Sequence, residues 1–244
     1  MHILNPVFIL VKPQMAENVG AVARAMLNFG FLNLRLVCPR ENHLCERALA
    51  MAAGAGRILD QAQVFENLAD ACKDLNEILA TSARDRYKYK AVVDPIIGCN
   101  KILQNCARGY KVGILFGGER AGLSNEDLFL AKRLIRIPSS PKFSSLNLAQ
   151  SVLLICYQLN ICSIGKNKKN YSQTELSDTK ANYEEIQAYL TRLENELDKR
   201  NFFYPEGKKK RMKTRLRKLI YGLALSKEDV KIFQGVLKSL VKKD

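Results

Sequence analysis

Short apolar runs alternate with segments of helical period through the first two thirds of the chain, and that alternation admits few folds. Val7–Lys12, Leu34–Val37, a run around Val64, Glu77–Thr81, Lys111–Phe116 and Leu134–Ile137 read as strands. Glu17–Phe29, Glu46–Ala53, Asn67–Lys73, part of Ile96–Ala107, Asn125–Lys132 and Leu148–Ile164 read as helices. Gly30 closes the first and Gly54 the second, because glycine reaches the left-handed backbone that ends a helix. Strand and helix in turn imply an α/β fold, a parallel sheet flanked by helices on both faces. Ligands of such sheets bind beyond the carboxyl ends of the strands. That rule selects four loops, Pro13–Asn18, Thr81–Tyr89, Gly117–Ser124 and Pro138–Asn147, each rich in Gly, Ser, Asn, Arg or Glu.

The last of these loops lies in the stretch Pro138–Ser151, PSSPKFSSLNLAQS, between a strand and a long apolar helix. Proline and serine favour turns, and Ser or Asn before an apolar run starts a helix. The amide groups of that helix N-terminus suit a polar or anionic ligand. A plain capped loop is the alternative for this stretch taken alone.

The net charge of +15, from 39 Lys and Arg against 24 Asp and Glu, favours a polyanionic partner, nucleic acid ahead of a membrane. No apolar run reaches bilayer length, and the start MHILNPVFILVKP lacks the basic end and cleavage site of a signal peptide. The seven cysteines form no CxxC, and His2 and His43 are the only histidines. No zinc spacing results, and reduced thiols in a cytoplasmic protein are expected.

The composition changes after Ile164. Residues 1–165 are expected to form one domain, 166–180 a polar linker and 181–244 a small all-α domain. Ala181–Lys199 and Lys208–Leu223 are its first two helices, and Met212, Leu216, Leu219 and Ile220 are expected to face inward on the second. Ser226 caps the third, with Asp229 completing a capping box. Between Lys199 and Lys218 stand ten Lys or Arg and one acid, Glu206. So many like charges repel unless a partner neutralises them. Lys208, Lys209, Arg211, Lys213, Arg215 and Arg217 are therefore candidate RNA contacts, with Lys209, Lys213 and Arg217 sharing one helix face. Phe202, Phe203 and Tyr204 beside them are either core residues or base-stacking ones, with core the reading adopted.

Four segments share one explanation: Asn18-Val-Gly-Ala-Val-Ala-Arg24, Thr81-Ser-Ala-Arg84, Phe116-Gly-Gly-Glu-Arg-Ala-Gly122 and Ser144-Ser-Leu-Asn-Leu-Ala149. In order and spacing they resemble the SPOUT, or α/β-knot, RNA methyltransferases, and within them the TrmJ-like tRNA 2′-O-ribose methyltransferases. NxGxxxR alone is a weak signal; FGxExxGL followed by SSLNLA is specific. The resemblance covers the whole chain. It implies a sheet whose C-terminal part is threaded into a trefoil knot, a homodimer with its site near the subunit interface, and S-adenosylmethionine as methyl donor without a metal. It implies a pyrimidine ribose at position 32 of the tRNA anticodon loop as substrate. Carried over by position, Thr81, Ser82, Ala83, Gly117, Ile137, Ser144, Ser145 and Leu146 bind the donor. Arg24 becomes the central catalytic residue, with Asn18, Glu119, Ser145 and Asn147 beside it. Arginine keeps its proton in proteins, so its expected role is to hold phosphate and stabilise a developing alkoxide. Asn18 is expected to cap or fix its helix, Glu119 to orient Arg24 or Arg120, and Ser145 or Asn147 to touch the 2′-hydroxyl or cap a helix. Arg84 is a candidate phosphate contact. One departure stands out: relatives often carry a larger, basic residue where this chain has Gly118.

Overall fold

The computed structural model describes residues 5–83, 90–166 and 180–241. Its contacts divide the chain into two compact units, Met1–Ser172 and Gln173–Asp244. The first unit runs β1 (Val7–Val11), α1 (Ala16–Asn28), β2 (Leu34–Val37), α2 (Glu46–Ala52), α3 (Gly56–Asp60), β3 (Gln63–Phe65) and α4 (Leu68–Cys72). It continues with β4 (Glu77–Thr81), β5 (Ala91–Val93), α5 (Pro95–Ala107), β6 (Val112–Gly117), α6 (Asn125–Leu130), β7 (Arg133–Ile135) and α7 (Leu148–Lys166).

The seven strands form one sheet in the order β3-β2-β1-β6-β4-β7-β5, every neighbouring pair parallel. The α/β expectation holds. The central strands are apolar end to end because helices cover both sides of them; all five residues of β1 are buried. Phe8, Phe116, Met26, Leu34, Leu36, Ile102 and Ile155 join the core between sheet and helices. One charge is taken into this interior. Glu77 is 4% exposed. It accepts from Asn105 Nδ2 at 2.8 Å and pairs with Arg133 Nη1 at 3.3 Å. Those partners satisfy a carboxylate that would otherwise be costly to bury, and they tie β4 to β7 and α5.

Two elements escaped the sequence reading. Edge strand β5 is three residues long with Ala91 and Val92 exposed, too short and too wet to show a period. Lys90 Nζ, just before it, donates to the carbonyls of Phe129 and Ala131. Helix α3 follows the Gly54 turn directly, where the glycines read as a stop. The apolar run Leu134–Ile137 reads as strand to its end, but β7 ends at Ile135 and Ile137 falls in the loop after it.

Helix α7 is apolar on every side. Val152, Ile155, Cys156 and Leu159 are buried, while Leu153, Leu154, Tyr157, Ile161 and Ile164 are exposed. All seven cysteines are free, and burial pushes the Cys72 thiol up to about 12, as suits an inert core thiol. No helix among the described residues is long and apolar enough to cross a membrane.

The second unit packs α8 (Tyr183–Lys199), α9 (Glu206–Gly222) and α10 (Lys227–Val241) around Ile186, Tyr189, Leu190, Ile220, Val230 and Leu237. The capping box on α10 is present in both directions. Asp229 N donates to Ser226 Oγ at 3.0 Å and Ser226 N to Asp229 Oδ2 at 2.8 Å. Leu219, expected inside, is 62% exposed.

Candidate active site

Three strands adjacent in the sheet, β6, β4 and β7, end beside one another, and their following loops enclose a cleft of about 400 Å³. Thr81, Ser82 and Ala83 come from the end of β4, Gly117 from β6, and Ile137, Ser144, Ser145 and Leu146 from the loop after β7. All eight positions carried over for donor binding thus line one cavity. Gly118, Glu119, Arg120, Ala121, Gly122, Leu123, Ile135, Leu148 and Ser151 complete the wall, and none of them carried a donor-binding role in the sequence reading. Their signal was contiguity: most neighbour a motif residue in the chain. The ladder continues into the wall, for Ser82 N donates to Ile135 O at 3.1 Å and Thr81 Oγ1 to Leu115 O at 3.2 Å. A larger cleft, about 750 Å³, opens at the other end of the sheet between Asn5, Arg35, Asp74 and Lys111. It holds none of the motif residues, and its Arg35 and Asp74 already pair at 2.7 Å.

Glycine shapes the β6 loop. A Cβ on Gly117 would stand 2.2 Å from Gly122 C, and one on Gly118 2.1 Å from Lys12 O. Backbone passes backbone too closely there for any side chain. Gly118, expected to depart from the family pattern, is required by this chain's own geometry, in which Lys12 takes a left-handed conformation, φ 54°.

A side-chain relay joins the loops to α1 and α7. The Glu119 carboxylate accepts from Gln14 N at 2.8 Å, Met15 N at 3.3 Å and Asn18 Nδ2 at 2.6 Å. Asn18 Oδ1 accepts from Asn147 Nδ2 at 3.0 Å. Asn147 Oδ1 in turn accepts from Ala149 N at 2.8 Å and Gln150 N at 3.2 Å, capping α7. Of the two roles expected of Asn18, capping or fixing the helix start, it takes the second: Met15 holds the N-cap position, and the Asn18 side chain in the first turn ties the helix to Glu119 and Asn147. One expectation needs correction. Glu119 bonds to neither Arg24 nor Arg120; from a neighbouring loop it holds the backbone just before α1, where its charge lies near the positive end of the helix, while Ala16 N, the first helical amide, donates to Glu41 Oε2 at 3.0 Å. Asn147 does cap α7, and through Asn18 it ties that cap to the β6 loop. Ser145 is exposed on the cleft wall.

Arg24 is exposed on α1 and does not line the cleft. Arg84 lies outside the described residues. The cations of α9 divide into two sets. Lys209 and Lys213 pair with Asp198 of α8 at 2.9 and 3.2 Å, and Arg217 grips Glu194 with two bonds of 2.6 and 2.8 Å. Lys213 also covers the Phe203 ring at 5.2 Å. This face, expected to meet RNA, is turned to α8 because the acids there neutralise it. Lys208, Lys210, Arg211 and Arg215 are exposed.

The SpoU rRNA methylase family model matches residues 5–157, which hold the sheet, the relay and the cleft. The chain belongs to this family. The resemblance covers more than the family domain. TrmJ of Pseudomonas aeruginosa, named as a tRNA (cytidine/uridine/adenosine-2′-O-)-methyltransferase, is 35% identical over 235 residues, spanning 94% of this chain and 91% of that protein. The tRNA (cytidine-2′-O-)-methyltransferase TrmJ of Methanocaldococcus jannaschii is 33% identical over 87% of this chain and 89% of its own length. The crystal structure of TrmJ from Zymomonas mobilis ZM4 superposes with a TM-score of 0.85 at 40% identity, covering 97% of this chain and 99% of that one. The chain is thus a SPOUT-class protein of the TrmJ-like branch, and its parallel sheet with a helical C-terminal unit matches that structure.

Proposed function

We propose that this protein is an S-adenosylmethionine-dependent tRNA 2′-O-methyltransferase acting on a pyrimidine at position 32 of the anticodon loop. The observation that carries the reading is the convergence of Thr81, Ser82, Ala83, Gly117, Ile137, Ser144, Ser145 and Leu146 on one cleft at the carboxyl ends of β4, β6 and β7. The cleft fits the donor's chemistry: close-packed glycine backbone, exposed amides and hydroxyls for an adenine edge and ribose, and apolar Ile137 and Leu146 beside them. S-adenosylmethionine supplies a methyl group already electrophilic on its sulfonium, so a metal has no step to perform. What the protein must manage is the ribose hydroxyl, barely ionised at neutral pH.

Arg24 is the group assigned to that task. It makes no hydrogen bond or ion pair among the described residues, so its charge is available to a phosphate and to negative charge growing on the 2′-oxygen. The relay from Glu119 through Asn18 to Asn147 holds the first turn of α1 against the cleft loops and so sets where Arg24 stands. The protein acts as a homodimer, in the cytoplasm, with the site near the subunit interface. The exposed apolar side of α7, with Leu153, Leu154, Tyr157 and Ile161, supports an interface there. A sedimentation mass of one chain would contradict it. Residues 1–165 form the knotted catalytic domain, 166–180 the linker and 181–244 the RNA-binding domain.

The family's name points to ribosomal RNA, and the full-length relatives named above act on tRNA; the basic helical unit shared with them favours tRNA. Incubating the protein with labelled donor and either total tRNA or ribosomal RNA tests this directly. Label in tRNA is expected. Label in ribosomal RNA alone would move the substrate, and no label in either would reduce the chain to an RNA-binding protein.

A further inference from the structure

The turn between α8 and α9 holds an aromatic pair that the core does not use. Phe203 is buried at 2% exposure, but Phe202 is 53% and Tyr204 79% exposed. Large aromatics left in water beside a helix end lose the burial that ordinarily stabilises them. The turn is nevertheless held in place. Phe202 N donates to Leu197 O at 3.0 Å, Tyr204 N to Asn201 O at 3.2 Å and Lys208 N to Pro205 O at 2.8 Å. Phe202 also meets Phe203 edge to face, with ring centroids 5.3 Å apart. The rings are thus presented on a fixed support.

Directly after them the outward stripe of α9 begins. Lys208, Arg211 and Arg215 stand at i, i+3 and i+7, which confines them to about 60° of the helix surface over about 10 Å. All three are exposed, whereas the acids Asp198 and Glu194 are occupied by Lys209, Lys213 and Arg217 on the opposite side. α9 thus spends one set of cations on folding and keeps another exposed, beginning four residues after Tyr204.

We infer that Phe202 and Tyr204 form a base-stacking platform for unpaired nucleotides, and that Lys208, Arg211 and Arg215 track the phosphates of the same strand. Aromatic faces beside a basic track are how proteins hold single-stranded nucleic acid, because every base offers a face to stack on. A basic stripe by itself suits duplex and single strand alike; the rings restrict the site to bases that are free. The site deepens the tRNA reading and rests on it. An unpaired loop or end is then the part of the substrate that meets this unit.

The chain contains no tryptophan, so Tyr204→Trp introduces a single fluorophore at the platform and keeps an aromatic face. The probes are a twelve-nucleotide oligouridylate and a duplex RNA of the same length, added without methyl donor. The single strand is expected to quench the tryptophan saturably, the duplex to bind without quenching. Tyr204→Ala is expected to weaken oligouridylate binding about 5-fold to 100-fold with the slope of log affinity against log salt unchanged. Arg211→Gln with Arg215→Gln should instead flatten that slope. An unquenched tryptophan at saturating single strand, or wild-type affinity in Tyr204→Ala, overturns the platform and leaves the rings as a protein-facing patch. Melting of each variant by circular dichroism excludes a folding defect. Because no donor is present, failure here leaves methyl transfer by the wild-type protein as a separate question.

Discussion

At the scale of single residues, the site separates what a motif can announce from what it cannot. Arg24, Glu119 and Asn147 were legible as a set because their spacing repeats a family pattern. The partners of Glu119 were not, since two of its three donors are backbone amides, which carry no side-chain signature in a sequence. Gly118 was visible as an oddity, and its reason, the Lys12 carbonyl, is far away in the chain. Gly118→Ala is expected to force that contact apart and to destabilise the protein by about 1–3 kcal/mol. Donor affinity should fall with it, because the moved loop is the cleft wall; denaturant melts and calorimetry read both. Arg24→Ala acts on the other side of the chemistry. It should lower methyl transfer about 100-fold to 1,000-fold, the usual loss for one charge-stabilising donor, while donor binding by calorimetry stays at the wild-type value. Undiminished transfer in that variant would remove Arg24 from the mechanism.

At the scale of elements, period and end signals located the long helices and the central strands, whose apolar character follows from burial on both sides. They missed β5 and α3, which are too short to average over a turn or a pleat. They also misjudged α9. Sequence periodicity groups Lys209, Lys213 and Arg217 on one face, but only the acids of the neighbour α8 decide that this face points inward. The two cation sets now predict opposite outcomes. Arg217→Ala leaves Glu194, whose side chain is 7% exposed, without its cation and should cost about 1–3 kcal/mol, seen as a lower melting temperature. Changing Lys208, Arg211 and Arg215 together to glutamine should leave melting alone and reduce the salt slope of RNA binding by about 2. If the inner variant melts normally and the outer one binds RNA with an unaltered slope, the division of α9 is wrong.

At the scale of the molecule, the parallel sheet followed from alternation alone, whereas strand order, the cleft's exact lining and the relay needed three dimensions. They depend on which loops meet, and sequence distance does not record that: Asn18 touches Glu119 and Asn147 from more than 100 residues away. Those meetings build one cleft at the carboxyl edge of the sheet, the place proposed for the methyl donor. The most direct measurement is mass spectrometry of nuclease-mapped tRNA after incubation with protein and S-adenosylmethionine. The expected product is a 2′-O-methylated pyrimidine at position 32, formed only with donor and lost in Arg24→Ala. A methyl group on a base rather than the ribose, or no methylation of tRNA by a protein shown to bind the donor, would contradict the account.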